Sequence, residues 1–440
     1  MYKKNTINLF LLIGIILVIR LGITVLLSGN IPLSDAQDYN TLAQSILHSG
    51  IYMDEAGNTF SRPPFYPLFL FGIYSVFGIS YPLIYLIQAF LSIITCLLSY
   101  FIGREINGKD TGILCCILTC LVVELIIYPS LLLSEIVFIF LFSLSLLFLI
   151  YHIKKGQTFL SYWGYLSGFL MGLATLTRPI TLGLFPFCLV LIIMGAWINK
   201  KPLRLFKKFI IPFICLIIVL LPWTLRNYQI SHSFIPVAAI DGINFWIGHH
   251  SGATGSYDWP ENGNPLLKLD YNELTRNAAG WKYGISFIIG HPVEEMKLAG
   301  LKAFRLLNPL PDYSFQQVSL FQEFPFINWA VWLFSAFFWE FLLLCCITRP
   351  CRDYFQDEIH VLFTLILFYF ILNQIVFFCT PRYKIPLIIT IIFLQGDYIS
   401  TLYRKWGLRK HFWKSILNYK KAGILMMLQL LGGIVILASR

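Results

Sequence analysis

Ionisable residues of both signs lie at the ends of long apolar segments in several separate parts of this sequence. Two aspartates, Asp35 and Asp38, follow the first apolar segment within SDAQDYNTLAQSILHSG. The others occur in short motifs: Arg62 in FSRPPFYP, Glu135 in YPSLLLSE, Arg178 in LTRP, Arg226 in PWTLRNY, and Arg382 with Tyr383 in TPRYKIP. Because a carboxylate can accept a proton while arginines hold a phosphate, these residue types suit a reaction with a phosphate leaving group.

Membrane-spanning helices are the elements expected to position these residues. Hydrophobic residues make up 57% of the 440 residues and charged residues 12%, and the mean hydropathy is +0.72. Apolar runs of roughly 20 residues recur, each long enough to cross a bilayer as a helix, whereas barrel strands would alternate apolar and polar residues. We predict an all-α polytopic membrane protein with about eleven spans, at residues 8–28, 81–102, 111–128, 132–151, 159–176, 180–197, 208–225, 327–347, 359–379, 384–403 and 422–438.

The basic charge and the cysteines are explained by the same prediction. The ten cysteines lie within or beside apolar runs, which indicates neither a disulfide framework nor a zinc site. The net charge of +11 is expected to reside in cytoplasmic loops, so no nucleic-acid partner is predicted. The first apolar segment has no clear cleavage site, and we interpret it as an uncleaved span.

The short apolar segment Pro64–Gly78 decides the predicted topology, because it is short for a crossing and begins with prolines. If it does not cross, the basic loops, such as NKKPLRLFKK and YRKWGLRKHFWK, fall on the side of the N-terminal lysines, as the positive-inside rule requires. We therefore predict an interfacial or re-entrant helix there and a cytoplasmic N-terminus. The chain then divides into three parts. Residues 1–225 form a transmembrane module that includes the first outer loop at 29–80, residues 226–326 form an outer segment, and residues 327–440 form the C-terminal helices.

The stretch Ser34–Gly50 is predicted to be an amphipathic helix on the outer leaflet. Ser34 and Gln37 have capping-box spacing, and Gly50 is a typical helix stop. One apolar face is predicted from helical spacing, with Tyr39, Leu42, Ala43, Ile46 and Leu47. Asp35 and Asp38 are then in the first turn, where they could also simply complement the helix dipole, and the dipole would make Asp35 a weaker base.

The motifs together resemble a known family. Their order, with DAxDY after the first span, then RPPFYPLFL, LLLSE, LTRP, PWTLRNY, FWIGHHSGATGSY and PRYKIPL, is similar to the bacterial, family 39-like branch of the GT-C membrane glycosyltransferases. Relatives there include protein O-mannosyltransferases and the aminoarabinose transferase of lipid A. The resemblance covers roughly residues 8–400. It departs from the best-known relatives, which have a DE pair, because Ala36 follows the first aspartate here.

The resemblance implies sugar transfer from a polyprenyl-phosphate donor to a lipid, glycan or protein acceptor at the outer face of the plasma membrane. Asp35 matches the catalytic acid, and Asp38 and Glu135 are the supporting acids. The implied substrate-binding residues are Tyr39, Arg62, Arg178, Arg226, Trp246, His249, Tyr257, Arg382 and Tyr383. Among these, Arg178, Arg226 and Arg382 are the phosphate ligands, since arginine keeps its charge and binds two oxygens. No cofactor or metal site is identified, and dependence on a divalent metal is left open.

Other interpretations fit parts of the same pattern. The outer arginines could extend to lipid headgroups, and His249 with His250 could be ordinary loop residues. The charges inside predicted spans, Arg20, Glu124, Glu340 and Asp397, are expected to be structural. The alternative function is a transporter or flippase that moves an anionic lipid-linked substrate without chemistry, and a third is an inactive relative that serves as a scaffold. A transporter would place polar groups near mid-membrane, whereas here they gather at the outer ends.

Overall fold

The computed structural model describes residues 14–16, 18–26, 34–55, 57–156, 160–199, 204–260, 263–269, 272–307 and 323–406, and their regular structure is helical throughout. The first eight helices are α1 (Gly14–Leu26), α2 (Asp35–Ser49), α3 (Phe65–Phe77), α4 (Tyr81–Asn107), α5 (Lys109–Cys120), α6 (Glu124–Ile127), α7 (Glu135–Lys155) and α8 (Tyr162–Thr177). The others are α9 (Leu184–Asn199), α10 (Arg204–Ser231), α11 (Asp241–Gly248), α12 (Glu273–Gly290), α13 (Pro292–Leu307), α14 (Pro325–Thr348), α15 (Glu358–Val376) and α16 (Pro381–Trp406).

The helices confirm a multi-pass integral membrane protein but not the count of eleven spans. Within the described residues, six helices are long and apolar enough to cross a bilayer: α4, α7, α10, α14, α15 and α16. The region from α5 to Ser130 adds a seventh if its two parts, which bend by 70°, form one span. The predicted spans at 159–176 and 180–197 correspond to α8 and α9, of 16 residues each. The predicted span at 422–438 lies outside the described residues.

The segment that decided the topology forms α3, a helix of 13 residues. At 1.5 Å per residue it is about 20 Å long, which is less than the roughly 30 Å of a hydrocarbon core. Its length therefore agrees with a helix that does not cross the bilayer, and the side of the membrane on which each loop lies remains a prediction.

The helix predicted at Ser34–Gly50 is α2, but the structure corrects two details. The capping box is wrong: Ser34 has a φ of 54°, and its side chain makes no cap hydrogen bond. Gly50 ends the helix in the left-handed region, at a φ of 71°, as expected. The apolar face of α2 packs against protein rather than lipid, because Tyr74 of α3 donates a hydrogen bond of 2.8 Å to Asn40 and the Tyr39 ring packs edge-on against Tyr66.

Irregular backbone between α5 and α7 is buried among helices, where its carbonyl groups need donors. Arg20 of α1 donates to the carbonyl oxygens of Cys120 and Leu125, at 3.1 and 3.0 Å. Gln88 of α4 donates to the carbonyl oxygen of Leu131 at 2.8 Å. These side chains replace the missing helical hydrogen bonds and fix the segment that leads into α7.

The charged residue Asp397, predicted to be structural, joins four helices through a buried polar network. Its carboxylate accepts hydrogen bonds from Asn107 at 2.6 Å, from His360 at 3.1 Å and from Arg349 at 3.2 Å. The network connects the end of α4, the residue after α14, the start of α15 and the middle of α16. A buried ionisable group is expected to have such partners.

The outer segment is built from α11, α12 and α13. The predicted helical stretch around Leu274 and Trp281 is confirmed as α12. Gly242 of α11 and Gly280 of α12 allow the two backbones to approach closely, since a Cβ at Gly280 would collide with the carbonyl oxygen of Gly242. The outer segment therefore contains packed helices and is not a passive connection.

Close packing between α8 and α10 gives a testable expectation. A Cβ at Gly168 would collide with the carbonyl oxygen of Pro212, so Gly168→Ala should destabilise the protein by about 1–3 kcal/mol. The measurement is the apparent melting temperature in detergent. The matched control is Gly300→Ala in α13, where no atom lies within 4 Å of a new Cβ and the better helix propensity of alanine should be neutral or stabilising. Equal melting of the two variants would contradict the packing described.

A second expectation concerns Asp241, the first residue of α11. Burial raises the pKa of its carboxyl to about 6. The folded protein thus binds this proton more tightly than the unfolded chain, and stability falls as the pH rises from about 4 to about 6 and stays reduced above it. Asp241→Asn should therefore stabilise the protein by on the order of 2 kcal/mol at pH 7.5 and by less at pH 5. Melting curves at both pH values test this, and a pH-independent effect would oppose it.

Candidate functional site

Three carboxylates and three arginines from five parts of the chain meet in one ion-pair cluster. We use this name for the following six residues: Asp35 and Asp38 of α2, Arg62 before α3, Glu135 at the start of α7, Arg178 after α8, and Arg382 at the start of α16. These residues lie up to 347 positions apart in the sequence, at the ends of predicted helices. All six are candidates named from the sequence, and the structure brings them together.

Glu135 and Arg382 form the centre of the ion-pair cluster. The Oε1 atom of Glu135 lies 2.6 Å from Nη1 of Arg178 and 2.5 Å from Nε of Arg382. Nη1 of Arg382 also lies 2.7 Å from Oδ2 of Asp35. One guanidinium therefore connects α16 to both α7 and α2, which fixes the relative positions of the two carboxylates.

Arg62 completes the cluster on the side of the first outer loop. Its Nη2 atom lies 2.7 Å from Oδ1 of Asp35 and 2.5 Å from Oδ2 of Asp38. Both oxygens of Asp35 are thus paired with arginines. The cluster contains three carboxylates and three arginines, so its formal charges cancel. A phosphate that entered the cluster would compete with the carboxylates for the arginines or bind to N–H groups that the carboxylates leave unused.

The carboxylates differ in their access to solvent. The side chain of Glu135 is 2% exposed, and its Oε2 atom has no hydrogen-bond partner among the described residues. The side chain of Asp38 is 43% exposed. Since a buried carboxylate oxygen without a donor is costly, Oε2 of Glu135 is suited to accept a hydrogen bond from a substrate.

The arginines determine the charge of Asp35. Burial alone would raise the pKa of its carboxyl, but Arg62 and Arg382 oppose this effect and hold the pKa well below its usual range. Burial likewise would lower the pKa of Arg62, and the charges of Asp35 and Asp38 outweigh it and raise that pKa. Asp35 is consequently ionised at neutral pH and a weak base while both arginines contact it.

Aromatic rings line the cluster and extend from it into the outer segment. The guanidinium of Arg62 lies 5.7 Å from the Tyr39 ring, and that of Arg178 lies 5.3 Å from the Tyr383 ring. Phe378, which the sequence did not single out, stacks on Tyr383 at 5.5 Å. Tyr257, with 59% of its surface exposed, packs edge-on against Phe378 at 5.8 Å. Tyr39 and Tyr383 thus lie beside arginines of the cluster, and Tyr257 is linked to them through Phe378; their contact with a substrate stays a prediction.

Arg226 is joined to the cluster only through Tyr52 among the described contacts: its guanidinium lies 5.6 Å from the Tyr52 ring, and the Tyr52 hydroxyl donates to the carbonyl oxygen of Arg62 at 2.9 Å. Arg226 donates to the carbonyl oxygens of Thr59 and Tyr52, at 3.0 and 3.3 Å, and its guanidinium lies 4.6 Å from the Trp223 ring. These contacts fasten the first outer loop to α10. The phosphate contact of Arg226 expected from the sequence stays a prediction.

His249 and Trp246 are buried in the outer segment. The two ring nitrogens of His249 lie 2.8 Å from Oε2 of Glu295 and 2.7 Å from the carbonyl oxygen of Val376, and Lys302 lies 3.3 Å away. Trp246 stacks on His250. Within the described part of the chain, no group of three His, Cys, Asp or Glu side chains could hold a metal ion. His249 therefore connects the outer segment to the end of α15.

Removal of Arg382 tests the central contact of the cluster. Arg382→Gln leaves the buried carboxylate of Glu135 with Arg178 alone, and we expect destabilisation of on the order of 3 kcal/mol because one buried charge loses a partner. Glu135→Gln in the same chain should restore part of this loss, since the uncompensated charge is then absent. Melting temperatures of the two single variants and the double variant measure the coupling. Strictly additive effects would show that the two side chains do not depend on each other.

Comparisons with known proteins agree with this architecture. Residues 61–223 match the family described as dolichyl-phosphate-mannose-protein mannosyltransferase. The solved structure of ArnT from Cupriavidus metallidurans bound to undecaprenyl phosphate is 12% identical, with a TM-score of 0.56, over 93% of this chain and 62% of that one. The oligosaccharyltransferase of Archaeoglobus fulgidus in its apo form is 14% identical, with a TM-score of 0.54, over 97% of this chain and 56% of that one.

The extent of these matches limits what they show. A search of curated proteins finds no match. The chain spans less than two thirds of the length of the two solved relatives described above. At these identities the solved structures establish the fold, which confirms the resemblance expected from the sequence. Residues 61–223 are thus similar to the dolichyl-phosphate-mannose-protein mannosyltransferase family, and the chain has the fold of the GT-C glycosyltransferase structures of ArnT and the archaeal oligosaccharyltransferase.

Proposed function

We propose that this protein transfers a sugar from a polyprenyl-phosphate donor to a lipid, glycan or protein acceptor. The ion-pair cluster carries the proposal, because it joins proton-accepting carboxylates to arginines beside the ends of apolar helices. The similar structure of ArnT is bound to undecaprenyl phosphate, and an archaeal oligosaccharyltransferase structure holds an inhibitory peptide and a dolichol-phosphate. We place the site at the outer face of the plasma membrane, with the N-terminus in the cytoplasm.

Arg178 and Arg382 are the proposed ligands of the donor phosphate. Both bind one oxygen of Glu135, so they lie close enough together to contact a single phosphate group. A guanidinium keeps its charge and can bind two oxygens at once, which stabilises the charge that develops on the departing phosphate. The aromatic rings of Tyr383 and Tyr39, each beside an arginine, would border the sugar.

The transfer is proposed to be a single displacement with inversion at the anomeric carbon. The oxygen or nitrogen of the acceptor forms a bond to that carbon while the bond to the phosphate oxygen breaks. The acceptor proton passes to the carboxylate of Asp35 or Asp38, and polyprenyl phosphate leaves with the bonding electrons. The arrangement is compatible with either a hexose or a pentose.

Binding of the donor would make Asp35 a better base. In the structure both oxygens of Asp35 are paired with arginines, which lowers its pKa. If Arg382 turns towards the phosphate, Asp35 loses one of these partners and its pKa rises towards its usual value. The proton acceptor would thus become effective only when the donor is in place.

Sugar transfer by the purified protein tests this proposal directly. A panel of labelled polyprenyl-phosphate sugars is supplied with a membrane extract as the acceptor source, with and without EDTA. Asp35→Asn is expected to reduce transfer by about 100-fold or more, since general-base catalysis contributes at least that much. The matched control is Glu55→Gln, an exposed carboxylate of the same loop, which should leave transfer unchanged.

Two results would contradict the proposal. Wild-type transfer by Asp35→Asn and Asp38→Asn alike would remove both aspartates from the reaction. Movement of an intact lipid-linked sugar between leaflets, with no product and with equal rates in both variants, would favour the transporter alternative.

A further inference from the structure

A cavity of about 450 Å³ opens in the outer segment, and none of the six residues of the ion-pair cluster lines it. It lies between α11, α12 and the loop that connects them. Its lining includes Trp246, His250, Asp258, Tyr283 and Phe287. The cavity is large enough for a small ligand, and such sites typically combine apolar walls with a few polar groups.

One wall of the cavity is aromatic. Tyr283 and Phe287 are four residues apart on α12 and so lie on the same face of that helix. Two prolines, Pro260 and Pro265, also line the cavity. This wall offers a surface for the apolar face of a ligand and one phenolic hydroxyl.

Two of the polar side chains that line the cavity, His250 and Asp258, offer hydrogen-bond acceptors. Nδ1 of His250 lies 2.8 Å from the carbonyl oxygen of Ser251, so this nitrogen carries the proton and Nε2 has a free lone pair. Nε2 is buried and has no hydrogen-bond partner among the residues that the structure describes. Burial lowers the pKa of His250, which keeps the ring neutral and Nε2 an acceptor. The carboxylate of Asp258 adds a second acceptor.

These observations select a ligand that has hydroxyl donors and an apolar face. A sugar ring has both, because its hydroxyl groups donate hydrogen bonds and its C–H face packs on aromatic rings. A phosphate would meet acceptors and the negative charge of Asp258, which opposes binding. The chemistry therefore differs from that of the ion-pair cluster, whose arginines suit phosphate.

The cavity and the ion-pair cluster are connected by a short run of aromatic contacts. Tyr257 precedes Asp258, which lines the cavity, and packs against Phe378, which in turn stacks on Tyr383. Tyr383 lies under Arg178 of the cluster. A ligand in the cavity would thus be separated from the cluster by the side chains of Tyr257, Phe378 and Tyr383.

We propose that this cavity binds a neutral saccharide, the acceptor of the transfer reaction. The cavity supplies the aromatic wall of α12, the free Nε2 of His250 and the carboxylate of Asp258. The role as acceptor site rests on the function proposed above, whereas binding of the saccharide itself does not. The sequence left three acceptor classes open, namely lipid, glycan and protein. The proposal selects the glycan.

The test measures saccharide binding to the full-length protein in detergent without any donor. The probes are methyl β-glucoside, the methyl glycoside of N-acetylglucosamine, and cellobiose, followed by saturation-transfer NMR and tryptophan fluorescence. Glucose 6-phosphate and an uncharged serine-containing hexapeptide are the contrasting probes. We expect at least one neutral saccharide to bind in the millimolar range, and glucose 6-phosphate to bind at least about 10-fold more weakly.

Variants locate the binding site. His250→Phe keeps a ring on Trp246 but removes the acceptor, and it should weaken binding by about 3- to 10-fold. Tyr283→Ala removes the aromatic wall and should weaken it by about 10-fold, while the control Tyr283→Phe retains the ring and should stay within about 3-fold of wild type. Absence of saccharide binding up to 100 mM, equal binding by all variants, or binding of the hexapeptide that depends on the same residues would overturn the proposal.

The same variants separate this inference from the proposed function. Release of polyprenyl phosphate to water from the donor panel does not need an acceptor, so it measures donor turnover separately from saccharide binding. Saccharide binding that these substitutions weaken, in a protein that turns over no donor, would refute the transferase and retain the cavity as a saccharide site. Donor turnover without saccharide binding would support the transferase and refute the saccharide site.

Discussion

A buried carboxylate is stable as an anion only beside positive partners, and Glu135 is the carboxylate on which this site depends. Its Oε1 atom binds Arg178 and Arg382. Arg382 also pairs with Asp35. The arginine that the buried charge of Glu135 requires therefore connects three chain segments, α7, α16 and α2. The candidate site is thus held by the same interactions that its chemistry would use, and a phosphate would compete with carboxylates for arginines already in place.

The position of Glu135 depends in turn on the irregular backbone between α5 and α7. The segment before α7 is buried, and Arg20 and Gln88 supply donors to its carbonyl groups. Non-helical backbone at this depth is tolerated where protein groups satisfy it. Arg20 and Gln88, which lie outside the ion-pair cluster, therefore help to determine where the carboxylate of Glu135 lies.

The length of the apolar runs predicts the helical membrane fold, because run length is a local property of the sequence. The short motifs and their order predict the members of the ion-pair cluster. The break between α5 and α6 could not be predicted, since no proline or glycine marks residues 121–123. The contact of Arg226 with Trp223, three residues earlier on the same helix, is local and could have been expected from spacing. The pairing of His249 with Glu295 joins distant positions that no spacing relates.

The position of Arg382, far along the chain from its partners, has a consequence for biosynthesis. Arg382 follows Asp35 by 347 positions and Glu135 by 247, and it belongs to the last helix that the structure describes. Since a chain emerges from its N-terminal end first, the three carboxylates are synthesised together with only two of their arginines. A nascent chain that stops before α16 carries one unbalanced negative charge at this site. The cluster is completed only in chains that extend past Arg382, so products terminated before that residue cannot assemble it.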